Sequence, residues 1–103
     1  MSQFPIVPTG EHVTRQVLSD HPDLMVVAFR FEASGAIGAL HSHPHVQSTY
    51  VESGRFRFTL GDREQEFGPG DSFVIPSDQT HGCLCLVPGT LIDRFTPRRD
   101  DFL

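Results

Sequence analysis

The stretch "RFRFTL" (Arg55–Leu60), followed by Gly61-Asp62 and then "REQEF" (63–67), decides the fold class. Its residues alternate strictly, so Phe56, Phe58 and Leu60 share one face and Arg55, Arg57 and Thr59 the other. Side chains of an extended chain repeat every two residues, which makes this a half-buried strand, and a Gly-Asp pair is a tight-turn signal. Segments of the same kind lie on both sides: "LMVVAFRFE" (24–32), "TYVES" (49–53), "SFVIP" (72–76), "HGCLCLV" (81–87) and "TLIDRF" (90–95). Ser53-Gly54, Gly68-Pro69-Gly70-Asp71 and Pro88-Gly89 punctuate them. Short, evenly spaced strands with turn chemistry between them predict an all-β sandwich or small barrel. Only residues 10–20 leave room for a turn of helix.

Composition limits what such a fold can do. The chain has 103 residues, enough for a single domain (1–103) with a short N-terminal arm over about residues 1–10. A formal charge of −5 argues against nucleic-acid and anionic-membrane partners, both of which require a basic excess. All eight basic side chains are arginines, so no lysine is present to form a Schiff base. No apolar run approaches the roughly 20 residues of a membrane span, and "MSQFPIVPTG" has neither the basic start nor the apolar block of a secretory signal. The expected location is the cytoplasm. Cys83 and Cys85, one residue apart on an apolar strand, do not readily reach disulfide geometry and read as inert core thiols. No Gly-x-Ser-x-Gly is present to suggest a serine hydrolase. "LMVVAFRF" is a candidate homodimer interface or, equally, an interior strand.

The chemistry concentrates in "HSHPHVQ" (41–47), which holds three of the six histidines. On an extended segment His41, His43 and Gln47 project to one side, and two same-face imidazoles form half of a transition-metal site. His81, which opens another strand after "PSDQT", is the natural third donor. The competing reading is a polar loop with its histidines in water. Pro44 interrupts the strand, so His45 is expected at the rim. A second group lies in "IDRFTPRRDDFL" (92–103), where Asp93 and Phe95 share a face and Arg99 follows Pro97. A carboxylate, a ring and a guanidinium suit an anionic sugar; the alternative is a solvated tail with Phe95 and Phe102 as core plugs.

The spacing of these residues resembles the cupin family. Gly35, five residues, His41-Ser42-His43, three residues, Gln47, six residues and Gly54 follow its first motif, in which Glu usually stands where Gln47 is. Gly70, five residues, Pro76, Asp78 in the place of the usual Gly, and His81 follow the second, with Cys85 where Asn is frequent. The resemblance implies a double-stranded β-barrel, or jelly roll, with a metal in its mouth. Gln47 leaves the ion without a charged protein ligand, or else stands aside from three histidines and water.

With the tail "DRFTPRRDDFL", the chain resembles more narrowly the small cupins of pectin degradation, the KdgF type. That resemblance implies His41, His43, Gln47 and His81 as ligands of one divalent transition metal (nickel, zinc, iron, manganese or cobalt). It implies Asp93, Phe95 and Arg99 as the catalytic and substrate set. The implied reaction converts 4,5-unsaturated monouronates, products of pectin and alginate lyases, into linear 4-deoxy-5-keto uronates by ring opening and ketonisation. The alternatives are a metal-dependent cupin dioxygenase and a sugar-acid binding module without turnover.

Overall fold

The computed structural model describes residues 4–103 and consists almost wholly of strands. In chain order these are β1 (Val7–Gly10), β2 (Val13–His21), β3 (Leu24–Phe31), β4 (Ile37–His41), β5 (Val46–Val51), β6 (Arg55–Leu60), β7 (Arg63–Phe67), β8 (Ser72–Ile75), β9 (His81–Val87) and β10 (Gly89–Thr96). A 3-10 turn, Asp100–Phe102, follows. One sheet has six strands in the order β1-β2-β3-β10-β5-β8, the other four in the order β4-β9-β6-β7. The neighbouring strands pair antiparallel, and the chain passes repeatedly between the sheets, giving the expected jelly roll.

The alternation of β6 works as its sequence requires. Phe56, Phe58 and Leu60 are buried while Arg55 and Arg57 are exposed, and Phe58 pairs with Cys83 of β9. Phe67 stacks on Phe73 at 4.0 Å between centroids, and Phe58 meets Phe73 edge-on at 4.7 Å. Each ring pair contributes about 0.5–1.5 kcal/mol beyond the area it buries. Val17, Met25, Val27 and Phe95 form a second buried cluster, against which Phe29 and Phe102 pack.

Three local features differ from or sharpen the sequence reading. Residues 13–21 form strand β2 rather than a helical turn, with Val13, Arg15 and Val17 opposite Phe31, Phe29 and Val27 of β3. Val13 and Val17 are four apart, a spacing that both helix and strand periods satisfy, and pairing with β3 decides between them. Val7–Gly10, the end of the stretch read as an arm, pairs with β2 as β1, and residues 1–3 lie outside the described chain. Strand β3 is interior, between β2 and β10.

Gly54 (φ 81°) needs its missing side chain, since a Cβ there would lie 2.5 Å from the carbonyl oxygen of Val87. Asp78, where the family usually has Gly, sits at φ 66° in the left-handed region, which aspartate tolerates better than most residues. Its N–H donates to the carbonyl of His43 at 2.8 Å, tying the loop before β9 to the histidine segment.

Candidate functional site

The histidine segment is not one strand. His41 ends β4 in the four-stranded sheet, residues 42–45 cross the barrel mouth, and Gln47 belongs to β5 in the six-stranded sheet. Convergence therefore comes from the crossing rather than from a shared strand face. His41 pairs directly with His81 of β9, their rings 4.3 Å apart, and His43 swings in from the crossing to 4.8 Å from His81. One ring nitrogen from each of the three lies within 4.8 Å of the others.

The nitrogens are already sorted by their partners. Nδ1 of His41 faces the carbonyl of Ala39 at 2.7 Å, that of His43 the carbonyl of His45 at 3.1 Å, and that of His81 the carbonyl of Gln79 at 2.9 Å. A carbonyl only accepts, so neutral His41 and His81 carry the proton on Nδ1 and turn the lone pair of Nε2 inward; His43 has an acceptor oxygen at each nitrogen, and a cation between its Nε2 and Oε1 of Gln47 would select the same tautomer. Nε2 of His81 is buried without a hydrogen-bond partner. Burial also pushes the pKa of His81 down to about 4 and lowers that of His43, so both are neutral, as ligands must be. His45, half-buried, contributes through its carbonyl.

Gln47 explains itself once Asp93 is in view. Its amide Nε2 donates to Oδ2 of Asp93 at 3.1 Å and to Oγ1 of Thr49 at 2.9 Å, which fixes the amide with Oε1 facing Nε2 of His43 at 3.0 Å. An imidazole lone pair and an amide oxygen turned toward each other suit a shared cation. These donors fit a divalent transition metal: three convergent imidazoles, one an orphaned buried nitrogen, plus an amide oxygen held in place. A glutamate at position 47 would instead set a second carboxylate against Asp93.

Asp93 is buried directly opposite Thr49, whose hydroxyl donates to Oδ1 at 2.8 Å. Burial raises its pKa to about 7, overriding the opposing pull of the Thr49 and Gln47 hydrogen bonds and the Arg99 charge. Such an acid, poised near neutrality in a cavity, can both take and give a proton. Thr49 was not singled out from the sequence, although its place two residues after Gln47 puts it on the same face.

The cavity has a volume of about 270 Å³, and Gln47, His41, His81, Asp93, Phe95 and Arg99 reach its wall. Phe95 is 1% exposed and presents its ring to His43 at 5.6 Å and to His45 at 6.3 Å. Arg99 is buried, its guanidinium 5.1 Å from the Phe95 ring centre and 4.2 Å from that of Phe102. Its fork is engaged, because Nε and Nη2 donate to the two oxygens of Asp101 at 3.0 and 2.8 Å. Asp101 and Phe102 thus hold Arg99 over the mouth, a pairing two residues apart that the charged tail concealed. Cys83 also lines the cavity, but burial pushes its thiol up to about 12, so it is inert as expected.

A jelly roll with three convergent imidazoles at its mouth defines a cupin, and residues 28–90 match the family model of the cupin domain. The pectin degradation protein KdgF of Dickeya dadantii (strain 3937) is 36% identical over 96 residues, covering 91% of this chain and 86% of that protein. The structure of KdgF from Halomonas sp. superposes with a TM-score of 0.90 at 38% identity, over 96% of this chain and 91% of that one. An RmlC-like cupin from Shewanella frigidimarina gives 0.91 at 38% identity, over 98% and 90%. The chain belongs to the cupin family, in its KdgF-type branch. Among the described residues no helix is long and apolar enough to cross a membrane.

Proposed function

We propose that this protein is a metal-dependent enzyme that opens 4,5-unsaturated monouronates and ketonises them to linear 4-deoxy-5-keto uronates, acting as a single cupin domain. The observation that carries the reading is Asp93: a buried acid in the wall of the cavity, hydrogen-bonded to Gln47, the residue that faces the histidine cluster. Kinship with KdgF, a pectin degradation protein, supports a sugar acid as the substrate class. In the substrate the ring oxygen joins C1 to C5 of a C4=C5 bond conjugated with the carboxylate. Loss of the C1 hydroxyl proton breaks the bond from C1 to the ring oxygen to give an aldehyde and a C5 enolate. Protonation at C4 then leaves a ketone at C5, so the product is an isomer of the substrate and no co-reactant is consumed.

His41, His43 and His81, with the oxygen of Gln47, would hold the divalent ion. Once bound, that ion supplies Lewis-acid charge for a carboxylate or a developing enolate. Asp93 takes the proton at the C1 hydroxyl or delivers one at C4, and burial, which raises its proton affinity above that of an exposed aspartate, suits either task. Thr49 and Gln47 hold its two oxygens so that the carboxyl does not rotate away. Phe95 forms an apolar wall, and the charge of Arg99 favours an anionic substrate.

The test is product identification by proton NMR, with metal-loaded protein and a lyase-generated unsaturated monouronate, in air and without it. The expected result is loss of the C4 vinyl proton with equal gain of the 5-keto product in both atmospheres. Turnover only in air with oxygen uptake would identify a dioxygenase instead, and no product would leave a binding module.

A further inference from the structure

Strand β2 carries a charge where its register calls for an apolar residue. Val13, Arg15 and Val17 point to the same side, and the valines are each 3% exposed. Arg15 between them reaches the cavity wall, in the same cavity as Asp93 and Arg99. Its guanidinium carbon lies 4.3 Å from the centre of the Phe102 ring, and that of Arg99 lies 4.2 Å from the same centre.

The two arginines differ in what they have left to offer. Arg99 spends Nε and Nη2 on a bidentate pair with Asp101. The Arg15 side chain has the Phe102 ring as its contact and, among the described residues, no side-chain hydrogen bond or ion pair. A guanidinium on the inward face of a strand, with a planar fork of free N–H donors, is matched by a carboxylate in two parallel hydrogen bonds. The Phe102 ring restricts its orientation, so less freedom is lost when an anion is gripped.

We infer that Arg15 is a carboxylate-binding, specificity-determining residue of the cavity, with Arg99 held in place by Asp101 as the second positive charge. The inference rests on the proposed reading that the cavity takes a sugar acid, and it assigns the grip on the acid group to β2 rather than to the C-terminal tail alone. Arg15 lies outside both histidine motifs and outside the Asp93, Phe95 and Arg99 set.

The experiment compares wild type, Arg15→Gln and Arg15→Lys, all metal-loaded and with metal content verified, in two assays. One is steady-state turnover of the unsaturated monouronate. The other is calorimetric binding of saturated galacturonate, with neutral galactose as control. For Arg15→Gln, KM rises at least about tenfold with kcat within about threefold of wild type, because uniform binding is removed. Its galacturonate affinity falls by about the same factor, while galactose is unaffected.

Arg15→Lys keeps the charge without the fork and falls between the two, and it decides the matter if Arg15→Gln does not fold. Equal behaviour of the variants and wild type in both assays overturns the inference. If wild type shows no turnover yet binds galacturonate in an Arg15-dependent way, the proposed reaction fails and the role of Arg15 stands.

Discussion

Replacing Thr49 with valine tests whether the Asp93 carboxyl is tuned by its neighbours. Thr49 is fully buried, and valine matches its shape, so the substitution leaves the volume around β5 unchanged and acts through the missing hydroxyl. What disappears is the hydroxyl that donates to Oδ1 of Asp93 at 2.8 Å and accepts from Gln47 at 2.9 Å. A hydrogen bond to a charged group is worth about 1.5–3 kcal/mol, and about 1.4 kcal/mol corresponds to one pH unit. Because the lost donor favoured the ionised form, the Asp93 midpoint moves upward by about 1–2 pH units.

If ionised Asp93 is the working form, kcat/KM at pH values below the wild-type midpoint falls about 10- to 100-fold and recovers at higher pH. The assay is the pH profile of kcat/KM for wild type, Thr49→Val and Thr49→Ser, each metal-loaded. Serine restores the hydroxyl and brings the profile back toward wild type. A valine variant whose midpoint coincides with that of wild type, or moves down, would refute the assignment of Thr49 as the residue that sets the Asp93 proton affinity.

Three further outcomes are expected. Gln47→Glu places a carboxylate against Oδ2 of Asp93, so the pair titrates in two separated steps and activity at pH 7 falls more than about tenfold with metal retained; wild-type activity would show that the amide donor is dispensable. In metal-free protein the raised pKa of Asp93 means the folded state holds its proton more tightly than the unfolded chain, so stability declines as pH rises from about 4 to about 7. Asp93→Asn removes up to about 4 kcal/mol of that decline, and its melting temperature exceeds that of wild type at pH 8 but not near pH 4, a crossover that equal melting curves at both pH values would deny. Phe56→Ala, at a position with no exposure, costs about 3–5 kcal/mol in urea denaturation, and a loss below about 1 kcal/mol would mean that the core lies elsewhere.

What the sequence disclosed followed from periods and spacings. The alternation of Arg55–Leu60 and the Gly61-Asp62 turn gave β6 and β7 directly, because one buried face fixes the register. Asp93 and Phe95 share the inward face of β10 as their separation of two requires. The crossing at 42–45 was not legible, since an extended strand and a passage between sheets both bring His41 and His43 together. Thr49 and Arg15 follow the same parity that located Phe56 and Phe58. Each lies two residues from an inward neighbour, yet a threonine and an arginine do not read as inward until the partner strand is known. The Arg99–Asp101 pair was hidden because a charged run such as Arg98-Arg99-Asp100-Asp101 ordinarily lies in water.

The central claim is that the histidine cluster and Asp93 together open and ketonise an unsaturated uronate, and the most direct measurement follows the ultraviolet absorbance of its conjugated C4=C5 bond. Decay is recorded in buffer, with metal-loaded protein, with chelator-stripped protein, and with metal-loaded Asp93→Ala. The account predicts decay well above the buffer rate with the loaded protein, a return to the buffer rate on stripping that is reversed by restoring metal, and loss of most of the acceleration in Asp93→Ala. Decay at the buffer rate in fully metal-loaded wild type would contradict it.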